Sequence, residues 1–365
     1  MKRVIIVGGG YAGVALARVL DANADVQLIE PRDSFIHNVG AIRAVVDPAL
    51  LDRIIIPYSR LLKNGSVRQA AVATVSDHGV TLSDGTALEA DIVVVATGSR
   101  YAAPFKGQDH ATASFRADSL GAHAALKEAR HIAIVGGGVV GVELAGEIAA
   151  AHPGRKVTLI SLAPSLMTGY PPRLAEKLEK QLRDMGVTLR LGVQVKDLKT
   201  TQAPFAGPLT LDDGVIDADL VFPTIGTKPV SDLVGALPGA TTNGLGQVEV
   251  DDWLRPSTAS RLFALGDMAA TGDKMTIVAI TRQAPWLSKT IKALVAGSAL
   301  ETLPKYTPWS KPALLVPLGP RQGASVLPLT NEGVVFGRRT TSMIKGKELF
   351  IPKYWKEFGF PAKQR

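Results

Sequence analysis

Short, wholly apolar runs that end in glycine recur along the chain. Val4-Ile5-Ile6-Val7 runs into Gly8, and Ile132-Ala133-Ile134-Val135 into Gly136. Val93-Val94-Val95-Ala96 runs into Thr97-Gly98, and Leu262-Phe263-Ala264-Leu265 into Gly266-Asp267. Runs that are apolar at every position, not at alternate ones, predict parallel strands covered on both faces. After two of these runs the pattern turns helical, over Ala12 to Leu20 and over Val139 to Ala151, the second stopped by Pro153-Gly154. Each helix leads to a further strand, Val26–Ile29 and Val157–Ile160. Strand–helix–strand units in this order predict an α/β fold with parallel sheets.

The glycines at the two strand-to-helix turns are spaced alike. Gly8, Gly10 and Gly13 form one G-x-G-x-x-G, and Gly136, Gly138 and Gly141 the other. In this spacing the first glycine makes the tight turn and the second lets backbone approach a pyrophosphate. The third lets the helix pack on the sheet, and the helix N-terminus faces the phosphates. The copies differ one strand later. Glu30 ends the second strand of the first unit, where an acid accepts hydrogen bonds from a ribose diol. Ser161 stands there in the second, with Arg155-Lys156 just before its strand. Without the acid, nothing repels a 2′-phosphate, so the second site is expected to accept NADPH alongside NADH. Glu143 and Glu147 lie four apart and share a face of the second helix. They read either as a solvated or capped pair, or with Glu147 beside the nicotinamide or the flavin.

Composition narrows the chemistry. The 365 residues include no cysteine, which excludes disulfides, thiolate metal sites and a redox dithiol. No apolar run approaches the roughly 18 residues that span a bilayer. Met1-Lys2-Arg3 and the run after it pass straight into the glycine turn, so they read as a first strand and not as a signal peptide. Position 2 is not glycine, so no N-myristoylation is expected. The net charge of +8 is concentrated: residues 304–365 carry 11 Lys/Arg against 3 Asp/Glu, and the rest of the chain balances. That segment is also aromatic, with Tyr354, Trp355, Phe358 and Phe360 near its end. It reads either as a packed lobe with solvated charges or as a surface for a membrane or an acidic partner. No nucleic-acid-binding motif accompanies the charge, so nucleic acid is not expected as a partner.

The order G-x-G-x-x-G with Glu30, Ala96-Thr97-Gly98, a second G-x-G-x-x-G, then Gly266-Asp267 resembles the two-dinucleotide-binding-domain flavoproteins. These form the pyridine-nucleotide:disulfide oxidoreductase superfamily, and the resemblance covers residues 1 to about 290. It implies two Rossmann-like domains, the second inserted in the first. An FAD-binding domain would occupy 1–112 and 233–295, and an NAD(P)H-binding domain 113–232. A short C-terminal α+β segment, 296–365, would follow, with Leu314–Leu318 as an edge strand because Pro317 cannot donate to a ladder. Gly9, Tyr11 and Ala12 in the first turn, Thr97, Gly98 and Asp267 would touch FAD. Val139 and Val140, at the start of the second helix, would face the nicotinamide dinucleotide.

Asp33 to Ala44, with Arg68-Gln69, Gly141-Val142-Glu143 and Lys274-Met275, resembles the ferroptosis-suppressor branch of the apoptosis-inducing-factor-like flavoproteins. Members are NAD(P)H:quinone oxidoreductases. This finer resemblance implies that Arg43 and the backbone at Val72 contact FAD, and that His37 and Asn38 lie beside its ring. It also places Lys106 and Glu147 near flavin and nicotinamide as the catalytic candidates. Pro285 is expected to end or kink the helix after Asp267, and Ile344 to Phe360 to meet a bilayer surface. With only about 70 residues after the second half of the FAD domain, a monomer or weak dimer is expected, cytoplasmic or peripheral on a membrane. The expected acceptor is a quinone. A ferredoxin- or rubredoxin-like protein is the alternative, and a non-enzymatic redox-sensing or nucleic-acid-binding flavoprotein the third reading.

Overall fold

The computed structural model describes residues 1–256 and 261–361. Residues 257–260, within the expected 233–295 range, lie outside the described residues, as do Lys363 and Arg365 of the basic segment.

Twelve strands and seven helices position the site. The first unit contains β1 (Arg3–Val7), α1 (Tyr11–Leu20), β2 (Asp25–Glu30), α2 (Asn38–Ala44), β3 (Ser66–Gln69) and β4 (Ile92–Val95). Next come α3 (Thr112–Glu128), β5 (His131–Val135), α4 (Val139–Ala151), β6 (Lys156–Ser161), α5 (Pro172–Asp184), β7 (Val187–Leu191) and β8 (Leu220–Pro223). The chain then returns through β9 (Leu262–Ala264) to α6 (Ile277–Val295). It ends with β10 (Leu314–Leu318), β11 (Gln322–Leu327), β12 (Val334–Phe336) and α7 (Ile351–Glu357).

Two parallel sheets result. One has the order β9-β4-β1-β2-β3 and the other β7-β6-β5-β8. β9 joins the first sheet from beyond the whole of the second, so the second sheet is an insertion in chain order. The strands that read as continuous apolar runs are fully buried: Val4, Ile5, Ile6, Val93, Val94, Ile132, Ala133 and Ile134 have no exposed surface. At roughly 1.5–3 kcal/mol per buried Val, Leu or Ile side chain, these central strands dominate the stability of both units.

The C-terminal segment straddles the two. Its antiparallel sheet β10-β11-β12 puts Leu314, Val316, Leu318, Ala324 and Val326 into the core that contains α4 and α5. Among the described residues β10 lies at the edge and pairs with β11 alone, as Pro317 requires. α7 turns back onto the first unit, where Leu349, Ile351, Tyr354, Trp355 and Phe358 join the core of β1, β2 and α1. This corrects the expected bilayer face. Phe358 is fully enclosed and Trp355 only 5% exposed, so Tyr354, Trp355 and Phe358 are core of the first unit, and Phe350 and Phe360 pack against it half-buried.

Pro285 does not end the helix, since α6 runs from Ile277 to Val295 with Pro285 inside it. Pro285 and Thr281 both lie on the exposed face. The carbonyl that the proline leaves without its N–H partner therefore faces water, while Ala284, Leu287 and Ile291 hold the inner face.

Candidate functional site

Both glycine turns have the predicted geometry. A Cβ on Gly13 would sit 1.9 Å from the Gly8 carbonyl oxygen, and one on Gly141 would sit 2.0 Å from that of Gly136. Each helix can approach its turn only because these positions lack a side chain. Gly10 and Gly138, by contrast, have nothing within 4 Å of where a Cβ would be. They stand in extended conformation as the N-caps of α1 and α4, with no side chain capping either helix. Two helix N-termini with free N–H groups open onto space: this is a cradle for a pyrophosphate, twice over. Among the described residues, the buried Asn38 Oδ1 at the start of α2 has no protein partner, a polar atom left for a ligand on the first unit's side.

The surroundings of the turns differ. Glu30 is buried beside Gly9, whose N–H donates to Glu30 Oε2 at 2.6 Å. Arg32 clamps the same carboxylate, Nε to Oε1 at 2.7 Å and a second N–H to Oε2 at 3.2 Å. Burial pushes this carboxyl up, but the Arg32 charge and the backbone N–H bonds outweigh it and hold Glu30 below the usual range. Tyr58 donates to the Gly9 carbonyl at 2.7 Å and fixes the turn from outside. Tyr11 and Ala12 open α1, and the Tyr11 hydroxyl meets His37 Nδ1 at 2.9 Å.

His37 itself is enclosed. Its Nε2–H donates to the Leu349 carbonyl at 2.6 Å, so Nδ1 accepts from Tyr11. Burial lowers its pKa to about 4, and the ring stays neutral near pH 7. The expected contact of His37 with a flavin ring is not what the structure gives. Both nitrogens are used in tying the first turn to the C-terminal segment.

At the second turn, Ser161 accepts from the N–H of Ala163 at 3.2 Å. Arg155 does not serve a nucleotide. Its N–H groups donate to the carbonyls of Leu126, Lys127 and Ala129, at the C-terminal end of α3. It also precedes the N-terminal end of β6, whereas a dinucleotide lies at the C-terminal ends of such strands.

The two carboxylates of α4 are neither solvated nor capped. Every residue from Gly141 to Ala149 is buried, because the sheet, α2 and β10 all pack on this helix. Arg43 of α2 grips Glu147, with Nε at 3.0 and 2.9 Å from its two oxygens and a terminal nitrogen at 2.8 Å. The guanidinium also donates to the Lys347 carbonyl at 3.2 Å. One turn earlier, Lys345 reaches Glu143 at 2.6 Å and the Leu315 carbonyl at 3.1 Å. Burial raises the pKa of both acids, offset in part by Lys345 at Glu143 and by Arg43 at Glu147. Two buried acids thus meet two buried cations drawn from two other parts of the chain. Removing one partner of such a pair costs on the order of 3–5 kcal/mol. The structure therefore places Arg43 and Glu147 together, each committed to the other. Lys345 was not foreseen. The available signal was an apolar helix carrying two acids four apart, which needs two counter-charges from elsewhere.

A third group gathers around Asp267. Ser99 donates to Asp267 Oδ2 at 2.6 Å, and Lys106 reaches Ser99 Oγ at 2.6 Å and Asp267 at 3.6 Å. Burial lowers the pKa of Lys106, opposed by Asp267. Gly98 stands at φ +72°, and Thr97 Oγ1 donates to the Val230 carbonyl at 2.5 Å, which turns the chain out of β4 toward this group. Val72 lies apart, half-buried on a short antiparallel strand, Val72–Ser76.

Beyond Asp267 the segment 273–279 lines a cleft of about 350 Å³. Tyr170 of the inserted unit, the start of α6, and Trp309 and Pro312 of the C-terminal segment close it. Lys274 donates to the Gly169 carbonyl at 2.6 Å and lies 3.7 Å over the Tyr170 ring, and Arg282 lies 3.6 Å over Trp309. Thr276 caps α6 with its hydroxyl at this wall.

Two parallel-sheet units, each with a glycine turn open to a pyrophosphate, define a protein that works with two dinucleotides. The chain belongs to the pyridine nucleotide-disulphide oxidoreductase family, whose model matches residues 2–285. Its cofactors are accordingly FAD and a nicotinamide dinucleotide. It is 32% identical to apoptosis-inducing factor homolog B of Dictyostelium discoideum, over 99% of this chain and 97% of that protein. Ferroptosis suppressor protein 1 of Xenopus tropicalis is 27% identical over 98% and 96%. Among solved structures, the sulfide:quinone oxidoreductase of Aquifex aeolicus superposes with a TM-score of 0.76, at 17% identity, over 99% of this chain and 92% of that one. That likeness concerns the fold.

Proposed function

We propose that the chain is an NAD(P)H:quinone oxidoreductase. FAD is held at the Gly8–Gly13 turn, the nicotinamide dinucleotide at the Gly136–Gly141 turn, and the acceptor in the cleft beyond Asp267. When bound, FAD supplies the two-electron chemistry, taking hydride from the nicotinamide and releasing electrons to the acceptor. The protein's part is to bind and align. Glu30 is kept ionised to receive a ribose diol, and Asn38 Oδ1 offers an acceptor on the same side. Asp267 is held in place by Ser99 and Lys106 of the same unit. The α6 N-terminus and Lys274 stand on the cleft wall together with Lys311, Asp273 and Glu332.

One observation carries this reading above the others. The cleft adjoins the Asp267 segment and is walled by Tyr170, Trp309 and Pro312, in a chain without a single thiol. A flat ring can enter such a space, and there is no dithiol for electrons to pass to. The resemblance of Asp33–Ala44 to quinone-reducing flavoproteins points the same way. The strand after the second turn ends in Ser161 and sets no acid against a 2′-phosphate, so NADH and NADPH should both serve. Steady-state oxidation of NADH and NADPH with menadione or a short-chain ubiquinone tests the proposal. Turnover with quinone is expected. Turnover with an added ferredoxin but none with quinone would overturn it.

A further inference from the structure

Gln283 lies on the buried face of α6, 2% exposed, and both ends of its amide are used. The Gly266 N–H can only donate, so Gln283 Oε1 accepts from it at 2.9 Å and the amide has one orientation. Nε2 then donates to Thr271 Oγ1 and to Asp273 Oδ2, each at 2.8 Å. Asp273 in turn gathers the cleft wall. Its Oδ2 accepts from the Tyr306 hydroxyl at 2.5 Å and its Oδ1 from the backbone N–H of Trp309 at 2.8 Å. One buried side chain therefore joins the backbone just before Asp267 to the carboxylate that fixes Trp309. Gln247 holds the same turn from elsewhere, its Nε2 donating to the carbonyls of Asp267 and Ala269 at 3.1 and 3.2 Å. An apolar residue could fill the volume of Gln283 without burying a polar group, but it could not fix the turn against the wall.

We propose that Gln283 is a positioning residue for reduction of the acceptor. It sets the Asp273–Trp309 wall of the cleft against the Gly266–Asp267 turn, and with it the pose of the acceptor ring relative to the flavin. Gln283 acts through Asp273, and its amide takes up no electron and no proton. Poses off by an ångström slow such a step severely, which is why the wall is tied to the turn and not left to packing. Reduction of the flavin by the nicotinamide does not use this wall, so Gln283 bears on one half-reaction and not on the other. The proposal rests on the reading of the cleft as the acceptor site.

The test follows the two half-reactions separately by stopped-flow flavin absorbance of the FAD-loaded full chain, bleaching with NADPH and recovery with menadione. Gln283→Glu keeps the shape but sets a second carboxyl 2.8 Å from Asp273 Oδ2. At low pH the two carboxyls share a proton and the wall holds; as pH rises that proton leaves and the charges repel. The other charged groups nearby are the same in both proteins: Arg282 over Trp309, Lys274 on the Gly169 carbonyl, and Asp267 held by Ser99 and Lys106. Recovery relative to wild type is therefore expected to fall about tenfold or more from about pH 6 to about pH 9, with bleaching unchanged. Gln283→Met removes the tie altogether and should slow recovery by about tenfold at every pH, again without slowing bleaching. Recovery at the wild-type rate in either variant, or bleaching and recovery slowed alike, would overturn the proposal. Loss of flavin from both variants would do so too, since Gln283 would then serve the FAD turn. If only one variant loses flavin, the other decides. Wild-type protein that bleaches with NADPH and does not recover with menadione would overturn the reading of the cleft, and the proposal with it.

Discussion

The two glycine turns are nearly superimposable in their close contacts, 1.9 Å at Gly13 and 2.0 Å at Gly141, yet they sit in opposite environments. The first has a carboxylate at the end of its second strand, clamped by Arg32 and the Gly9 N–H. Its helix is conventional, apolar inward and exposed at Arg18 and Val19. The second has only Ser161 at the matching strand end, and its helix is covered on all sides. Glu143 and Glu147 are buried there against Lys345 and Arg43. The same local device therefore says that a dinucleotide binds, and only the surroundings say which one and how firmly. A turn sealed by a tyrosine and an ion pair suits a resident group. A turn with an open, uncharged strand end suits one that must come and go.

The largest expected effects separate the two turns. Gly13→Ala forces a methyl into the Gly8 carbonyl and should yield protein without bound flavin. Gly141→Ala should stay yellow while its KM for NADPH rises about tenfold or more, equivalent to about 1.4 kcal/mol. Overpacking of this kind costs roughly 1–3 kcal/mol in stability. Flavin absorbance of the purified variants and their steady-state kinetics check both. Loss of flavin from both variants would erase the proposed division of labour.

Arg43→Met comes next. It leaves Glu147 as a buried acid without its partner and should cost on the order of 3–5 kcal/mol at neutral pH, measured by urea unfolding. The sign with pH follows from the carboxyl being held above its ordinary value when folded. The unfolded chain gives up that proton first, so the penalty is absent below the ordinary carboxyl range, grows as pH rises above it, and levels off once the folded carboxyl has also ionised. Arg43→Met/Glu147→Met should recover much of the loss. A single-variant penalty that does not change between pH 5 and pH 8 would mean that Glu147 is not the group at fault.

Ser161→Glu gives the smallest change and the sharpest comparison, because it installs in the second turn the acid of the first. It should turn the cofactor preference toward NADH by about tenfold in kcat/KM, again about 1.4 kcal/mol. An unaltered ratio of NADH to NADPH would place the 2′ position of the ribose elsewhere.

Much of this was legible in the sequence. The helix over Val139–Ala151 has the predicted bounds, and the buried strands fall where the apolar runs placed them. These features are local, set by periodicity and by glycines that only one geometry tolerates. What was not legible lies between distant parts of the chain. Arg43 and Glu147 are 104 positions apart, and Lys345 and Glu143 are 202 apart. No spacing rule connects them. Pro285 does not end α6, because a proline's cost depends on whether the carbonyl it orphans faces water. The aromatic residues of α7 misled because composition does not say which core receives them.

The central claim is that electrons pass from a nicotinamide at the second turn, through FAD at the first, to a quinone. Anaerobic double mixing tests it most directly, with the yellow protein mixed first with NADPH and then with menadione while flavin absorbance is followed. The account predicts rapid bleaching by NADPH and full recovery on adding the quinone. Bleaching without recovery, or no bleaching by either NADPH or NADH, would contradict it.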